Sequence, residues 1–391
     1  MKSSNGSIWT RLLAASSLTL GLASAGAVFA QDTGEWKLQV TPEQSAQASA
    51  AGEADAADSG GPYALPTGKK IGVIVLSAQS SSTYRILNPV QDLAKRFGYE
   101  VMVCDPNFDA QKVAQCATSM VAQNADAVFS ISQSPGPMGS ALADAAAQGV
   151  QWFGTLSGTE ESPSIIPYGS PGVATAQLSA DWLFTEAAKR KGADAKLKFV
   201  LYTAPTVGLA NLIEEQEVLK AAAQNPNIEI VNNHNLDLAN IVQDTLTTTT
   251  QSVQQHPDLA GFWTVCDLCI PLISQAVSST GLSDAERPII AGDFTTPQSV
   301  ALLREGKVDM LMDVPFEASV YVAFDQLLAY WSHERPIDKS YDVFAKGYGI
   351  PFMEPYLLTK DNIGASGPIP VLGSDYQSYF DAKWKVEYGL Q

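Results

Sequence analysis

The feature that most constrains this chain is a repeated alternation. Short, nearly unbroken apolar runs rich in β-branched residues alternate with segments whose apolar residues recur at helical spacing. KIGVIVL, residues 70–76, is the first run, and Leu87, Val90, Ala94 and Phe97 mark the helix after it. YEVMVCD, DAVFSIS and VQWFGTL continue the series, with helices expected over 110–121 and 138–148. A second series starts after Tyr168. Its runs are LKFVLYT, IEIVN, LAGFWTV, PIIAGDF and VDMLMDV, and a long helix is expected over 315–332. Strands without apolar–polar alternation belong to parallel sheets covered on both faces by helices. Two such series predict an α/β protein of two doubly wound lobes. Ligands of such sheets bind beyond the carboxyl ends of the strands, so the residues after each strand are the candidates for a site. The last fifty residues show no clear alternation.

The two ends of this pattern are different in kind. Lys2 and Arg11 open a basic start, followed by the apolar stretch LLAASSLTLGLASAGAVFA with no acid before Asp32. This reads as a secretory signal cleaved after Ala30, and the mature chain is expected in the periplasm. No later run is long enough to span a bilayer, so no membrane insertion of the mature chain is expected. Residues 31–68, dominated by Ala, Ser, Gly and acids, read as a flexible linker. With 24 basic and 41 acidic residues the chain carries a net charge of −17, which excludes a nucleic-acid surface and docking on anionic lipid.

Catalysis finds little support. The three histidines, His234, His256 and His333, do not follow expected strands, and there is no phosphate-cradling glycine motif. No enzyme activity, cofactor or metal is therefore expected. Cys266-Asp-Leu-Cys269 stands where a redox C-x-x-C would, after a strand and at a helix start, which keeps a thiol oxidoreductase as an alternative. In an oxidising compartment Cys104 with Cys116 and Cys266 with Cys269 are the simplest disulfide candidates, though spacing does not settle the pairing. The residues after the strands form a more informative set: Gln79, Ser82, Thr83 and Tyr84, then Ser132 and Gln133, then Asp267, Asp293 and Asp313. Hydroxyls, amides and carboxylates are what a site uses to satisfy a polar solute, although each Ser or Thr taken singly is also a helix cap.

The chain resembles exported periplasmic sugar-binding proteins of the type I, ribose-binding-like class, the substrate-binding subunits of ABC importers. The resemblance spans residues 68–390. It is carried by KKIGVIVLSAQSSSTYRILNPVQDLAKRFGYEVMVCD, ADAVFSIS, HPDLAGFWTVCD, PIIAGDFTTPQSVALLREGKVDMLMDVPFEASVYVAFDQL and the tail YLLTKDN followed by AKW. It implies a monomer whose lobes close on a small polar solute (a sugar, a polyol or an amino-bearing relative) and present it to a permease. A sensory protein feeding a receptor or histidine kinase would share the fold. The resemblance also implies one lobe from 69–169 with 314–342, another from 170–313 with 343–391, and crossings near Tyr168, Asp313 and residue 343. The family's site falls on Gln79 to Tyr84, on Ser132 or Gln133, on Cys266 or Asp267, and on Asp293 and Asp313. Two departures stand out. Thr155-Leu156-Ser157 occupies the place of the family's Asp-Arg pair, and TAPTVGLANLIEE lacks the usual Arg of the second lobe. A site short of Arg and rich in Asp suits a ligand that donates hydrogen bonds.

Overall fold

The computed structural model describes residues 38–57, 59–157, 165–169, 171–205, 207–340, 343–348, 352–367, 369–370 and 375–390. The expected signal segment lies outside these. Strand β1 (Leu38–Gln39) and helix α1 (Pro42–Ala57) precede the first α/β series. That series runs β2 (Lys70–Ile74), α2 (Ser81–Phe97), β3 (Glu100–Cys104), α3 (Ala110–Ala122), β4 (Ala127–Ile131), α4 (Gly139–Ala147), β5 (Gln151–Thr155) and β6 (Ile166–Tyr168). Its five strands form a wholly parallel sheet in the order β3-β2-β4-β5-β6.

The second series runs α5 (Gly172–Lys191), β7 (Leu197–Thr203), α6 (Leu209–Ala223), β8 (Ile228–Asn235), α7 (Ile241–Gln255) and β9 (Gly261–Thr264). It continues with α8 (Cys269–Ser278), β10 (Ile289–Asp293), α9 (Pro297–Glu305), β11 (Met310–Asp313), α10 (Glu317–His333) and β12 (Tyr356–Thr359). The second sheet has the order β12-β11-β10-β9-β7-β8, parallel except for β12, which runs antiparallel to β11. The short β13 (Ile369–Pro370) pairs with β1, and α11 (Tyr376–Tyr388) ends the chain. The central apolar runs are buried as expected, with every residue of β4, β9, β10 and β11 buried, whereas β3 and β8 at the sheet edges are half-exposed. At Gly72 a Cβ would stand 2.7 Å from Met120 Sδ, so the glycine in β2 lets α3 lie close on the sheet.

Two expectations need correction. The stretch read as a flexible linker contains α1, which packs on α11. Its Ala, Gly and Ser content is what close helix packing requires. Ala48, Gly52 and Ala56 form a buried small-residue stripe, and a Cβ at Gly52 would lie 2.1 Å from the Tyr379 carbonyl oxygen. Asp55 of α1 also pairs with the buried Lys383 of α11 at 3.0 Å.

The second correction concerns the segment beyond 343. β12 joins the second sheet, but the chain crosses once more and α11 packs on the first lobe. The Trp384 ring lies 5.3 Å from that of Phe97 in α2, its Nε1 donates to Asp325 of α10 at 2.8 Å, and Asp381 pairs with Arg96. The aromatic side chains of α11 need a partner face, and α10, itself seated on the first sheet through Phe324 and Phe129, provides it.

Candidate functional site

In each sheet the order reverses once, between β2 and β4 in the first and between β7 and β9 in the second. Such reversals open a crevice at the carboxyl ends of the strands. The two crevices face one another across a shared cavity. The first lobe contributes Leu76, Ser80 and Ser82 after β2, Phe108 after β3, Ser132 after β4 and Leu156 after β5. From the second lobe come Ala204, Val207, Ala210 and Asn211 around the start of α6, and Leu236, Leu238 and Ile241 between β8 and α7. Val265 to Leu268 after β9 and Phe294 after β10 complete the wall.

A polar latch crosses this cavity. The Asp267 carboxylate accepts from the backbone N–H of Ser82 at 2.9 Å and from Ser80 Oγ at 3.2 Å. It also accepts from the N–H of Leu268 at 2.9 Å. Ser80 and Ser82 share a further bond between hydroxyls at 2.8 Å. A second link runs from Ser134 Oγ to the Val207 carbonyl at 3.2 Å. The lobes are thus held against each other at the very residues that follow β2, β4, β7 and β9.

The backbone around the cavity is strained. Among the described residues seven non-glycine positions have positive φ, and four of them line this wall: Phe108 (63°), Ser132 (52°), Leu156 (49°) and Phe294 (70°). For a residue such as Phe or Leu this conformation costs roughly 1–3 kcal/mol and persists only where the surroundings enforce it. Its concentration in one cavity makes that cavity the candidate site.

Of the residues singled out from sequence, Ser82, Ser132 and Asp267 lie on the cavity wall. The other six do not. Gln79 turns its amide to Asn107 Oδ1 at 2.8 Å, and the Tyr84 hydroxyl donates to the Ala78 carbonyl at 3.2 Å. Thr83 is buried in α2 and its hydroxyl makes no hydrogen bond among the described residues. Gln133 is buried and pins the Val75 carbonyl at 2.9 Å. Asp293 is fully buried and accepts from Ser179 at 3.0 Å. Burial, and next the charge of Glu214, push its carboxyl well above the usual range.

Asp313, expected at the ligand, instead faces Arg85 of α2. The guanidinium reaches Asp313 Oδ1 at 2.6 Å, Glu317 at 2.6 and 2.9 Å and the Val314 carbonyl at 3.0 Å. Thr295 Oγ1 donates to the other Asp313 oxygen. This buried triad ties α2 to the strand end where the chain recrosses between lobes. Leu156 stands on the wall at the place where the resemblance put an Asp-Arg pair, while Asn211 and the β8–α7 aliphatics were not singled out from sequence. Apolar residues after strands look like core, and Asn211 stands inside a helix rather than at a strand end.

The cysteines fall in two close pairs. Cys104 and Cys116 have Cα atoms 5.7 Å apart, and Cys266 and Cys269 5.2 Å, both within disulfide reach. Cys266 is on the cavity wall while Cys269 is fully buried.

The family model for the periplasmic binding protein domain matches residues 71–335. This chain belongs to that family. Its members bind solutes and are not enzymes. The fold is shared with the Caulobacter myo-inositol binding protein bound to myo-inositol, with a TM-score of 0.64 and 18% identity over 77% of this chain and 97% of that one. A galactofuranose binding protein gives a TM-score of 0.63 and 14% identity over 82% of this chain and 100% of that one. A solute binding protein of an ABC transporter from Burkholderia graminis, in complex with D-arabinose, gives 0.64 and 16% identity over 76% and 97%. No curated protein sequence matches. Among the described residues no helix is long and apolar enough to cross a membrane.

Proposed function

We propose that this chain is the exported substrate-binding subunit of an ABC importer. It captures a small solute in the cavity between its lobes and delivers it to the permease. The observation that carries this reading is the single cavity at both sheet reversals, bridged by Asp267 to Ser80 and Ser82. Two lobes joined by several crossings move as hinged bodies, and a ligand that touches both favours the closed form. A permease that binds the closed form better then reads occupancy. Within this reading Ser82, Ser132 and Asp267 contact or frame the solute, and Asp313 acts through the hinge. The ligands of the structural neighbours (an inositol, a furanose and a pentose) support a small oxygen-bearing solute. The basic-then-apolar start of the sequence supports export, and in that compartment the two cysteine pairs form disulfides.

The test is reconstitution. The solute-loaded chain should stimulate ATP hydrolysis by its permease–ATPase complex in liposomes, and the unloaded chain should not. Stimulation of a histidine kinase instead, with no effect on the ATPase, would move the protein to the sensory reading.

A further inference from the structure

The latch uses up the obvious polar groups of the cavity. Asp267, Ser80 and Ser82 bond to one another, and Ser132 Oγ donates to the Leu156 carbonyl at 3.0 Å. Asn211 is different: among the described residues its carboxamide has no hydrogen-bond partner. It brings both a donor and an acceptor to the wall. The surroundings are aliphatic, with Leu76, Leu156, Leu236, Leu238 and Ile241, plus the rings of Phe108 and Phe294. No Lys, Arg, His or Trp stands among the described wall residues.

This chemistry selects among solutes. A free sugar or polyol carries a hydroxyl on nearly every carbon. Each hydroxyl that meets Leu or Ile loses water without replacement, at roughly tenfold or more in affinity. Each methylene buried on the same wall instead gains about fourfold. We propose that the cavity takes a small neutral molecule with an apolar ring and one hydrogen-bonding oxygen, namely a cyclic alcohol, phenol or ketone. Asn211 is the residue that reads the oxygen. The inference rests on the carrier reading above and narrows its solute class.

Calorimetric titration of the intact chain with p-cresol and cyclohexanol, against myo-inositol and D-arabinose, tests it. One of the ring compounds should bind at least a hundredfold tighter than either polyhydroxylated probe, with a negative heat-capacity change from apolar burial. Asn211→Leu, with an unchanged thermal transition, should weaken that compound about tenfold and leave toluene binding as tight or tighter. Tighter binding of myo-inositol or D-arabinose would overturn the solute class and leave the carrier reading intact. No binding of any probe at millimolar concentration would overturn the solute class, while the carrier reading is decided separately by the reconstitution above. An Asn211→Leu variant indistinguishable from wild type toward p-cresol and cyclohexanol would remove Asn211 from the recognition.

Discussion

Replacing Arg85 by Met tests the reasoning about the hinge most directly. The side chain of Arg85 is 2% exposed, and those of its partners Asp313 and Glu317 are 1% and 7% exposed. Met fills similar space but leaves two buried carboxylates facing each other without the guanidinium. Removing one partner of a buried ion pair costs about 3–5 kcal/mol, because the remaining charge stays dehydrated. That is roughly a fifth or more of the stability of an ordinary domain. With a urea m-value of about 3 kcal/mol/M, the midpoint should fall by about 1 M or more. The loss should also depend on pH. Burial already lifts Asp313 above the usual carboxylate range against the pull of Arg85, and without Arg85 it rises further. A native carboxyl raised above its unfolded value binds more protons than the unfolded chain does. The variant therefore loses stability as pH rises from the unfolded value through the folded one, and its deficit should be larger at pH 8 than at pH 5. Adding Asp313→Asn to Arg85→Met should recover part of the loss, giving a coupling of about 1 kcal/mol or more. Urea melts followed by tryptophan fluorescence at both pH values provide the readout. A variant within 1 kcal/mol of wild type, or one equally impaired at pH 5 and pH 8, would refute the view that charge compensation holds this joint.

Three further outcomes are expected. Asp267→Asn keeps one acceptor oxygen and loses the charge that Ser80 and Ser82 bond to, worth about 1.5–3 kcal/mol. The ligand-free chain should show a larger radius of gyration and a solute affinity lower by roughly 10–150-fold, and an unchanged radius would exclude the latch. Gly52→Val drives a side chain into the Tyr379 carbonyl, so limited proteolysis should release α1 while solute affinity holds; a protease-resistant α1 would contradict the packing account. Asp293→Asn removes a carboxyl whose raised value makes the native state lose stability as pH climbs above the unfolded value of about 3.8. Its melting temperature should exceed wild type at pH 7 and converge toward pH 4. A deficit at both pH values would show that the negative charge is needed.

The architecture was legible because burial on both faces leaves a local trace. A strand covered by helices on two sides must be apolar throughout, and KIGVIVL or LAGFWTV can be little else. The rule that sites gather after strands led to Ser82, Ser132 and Asp267. It misplaced Asp313, whose partner Arg85 lies 228 positions away and cannot be inferred from spacing. It overlooked Leu236 and Leu238 because an aliphatic residue reads alike in a core and in a cavity wall.

The segment before residue 68 shows the limit most clearly. Ala, Gly and Ser serve a solvated linker and a close helix contact equally well, and the choice depends on whether a matching surface exists elsewhere. That surface is α11, more than 300 residues on, whose Tyr379 carbonyl tolerates only hydrogen opposite it. What the sequence alone determined was most of the elements between residues 70 and 333 and the pair of sheets they build, since these follow from local periodicity and apolar continuity. Tertiary structure decided which polar groups neutralise one another and which remain for a solute. Hydrogen bonds and ion pairs are contests among all groups within reach, and reach is set by the fold.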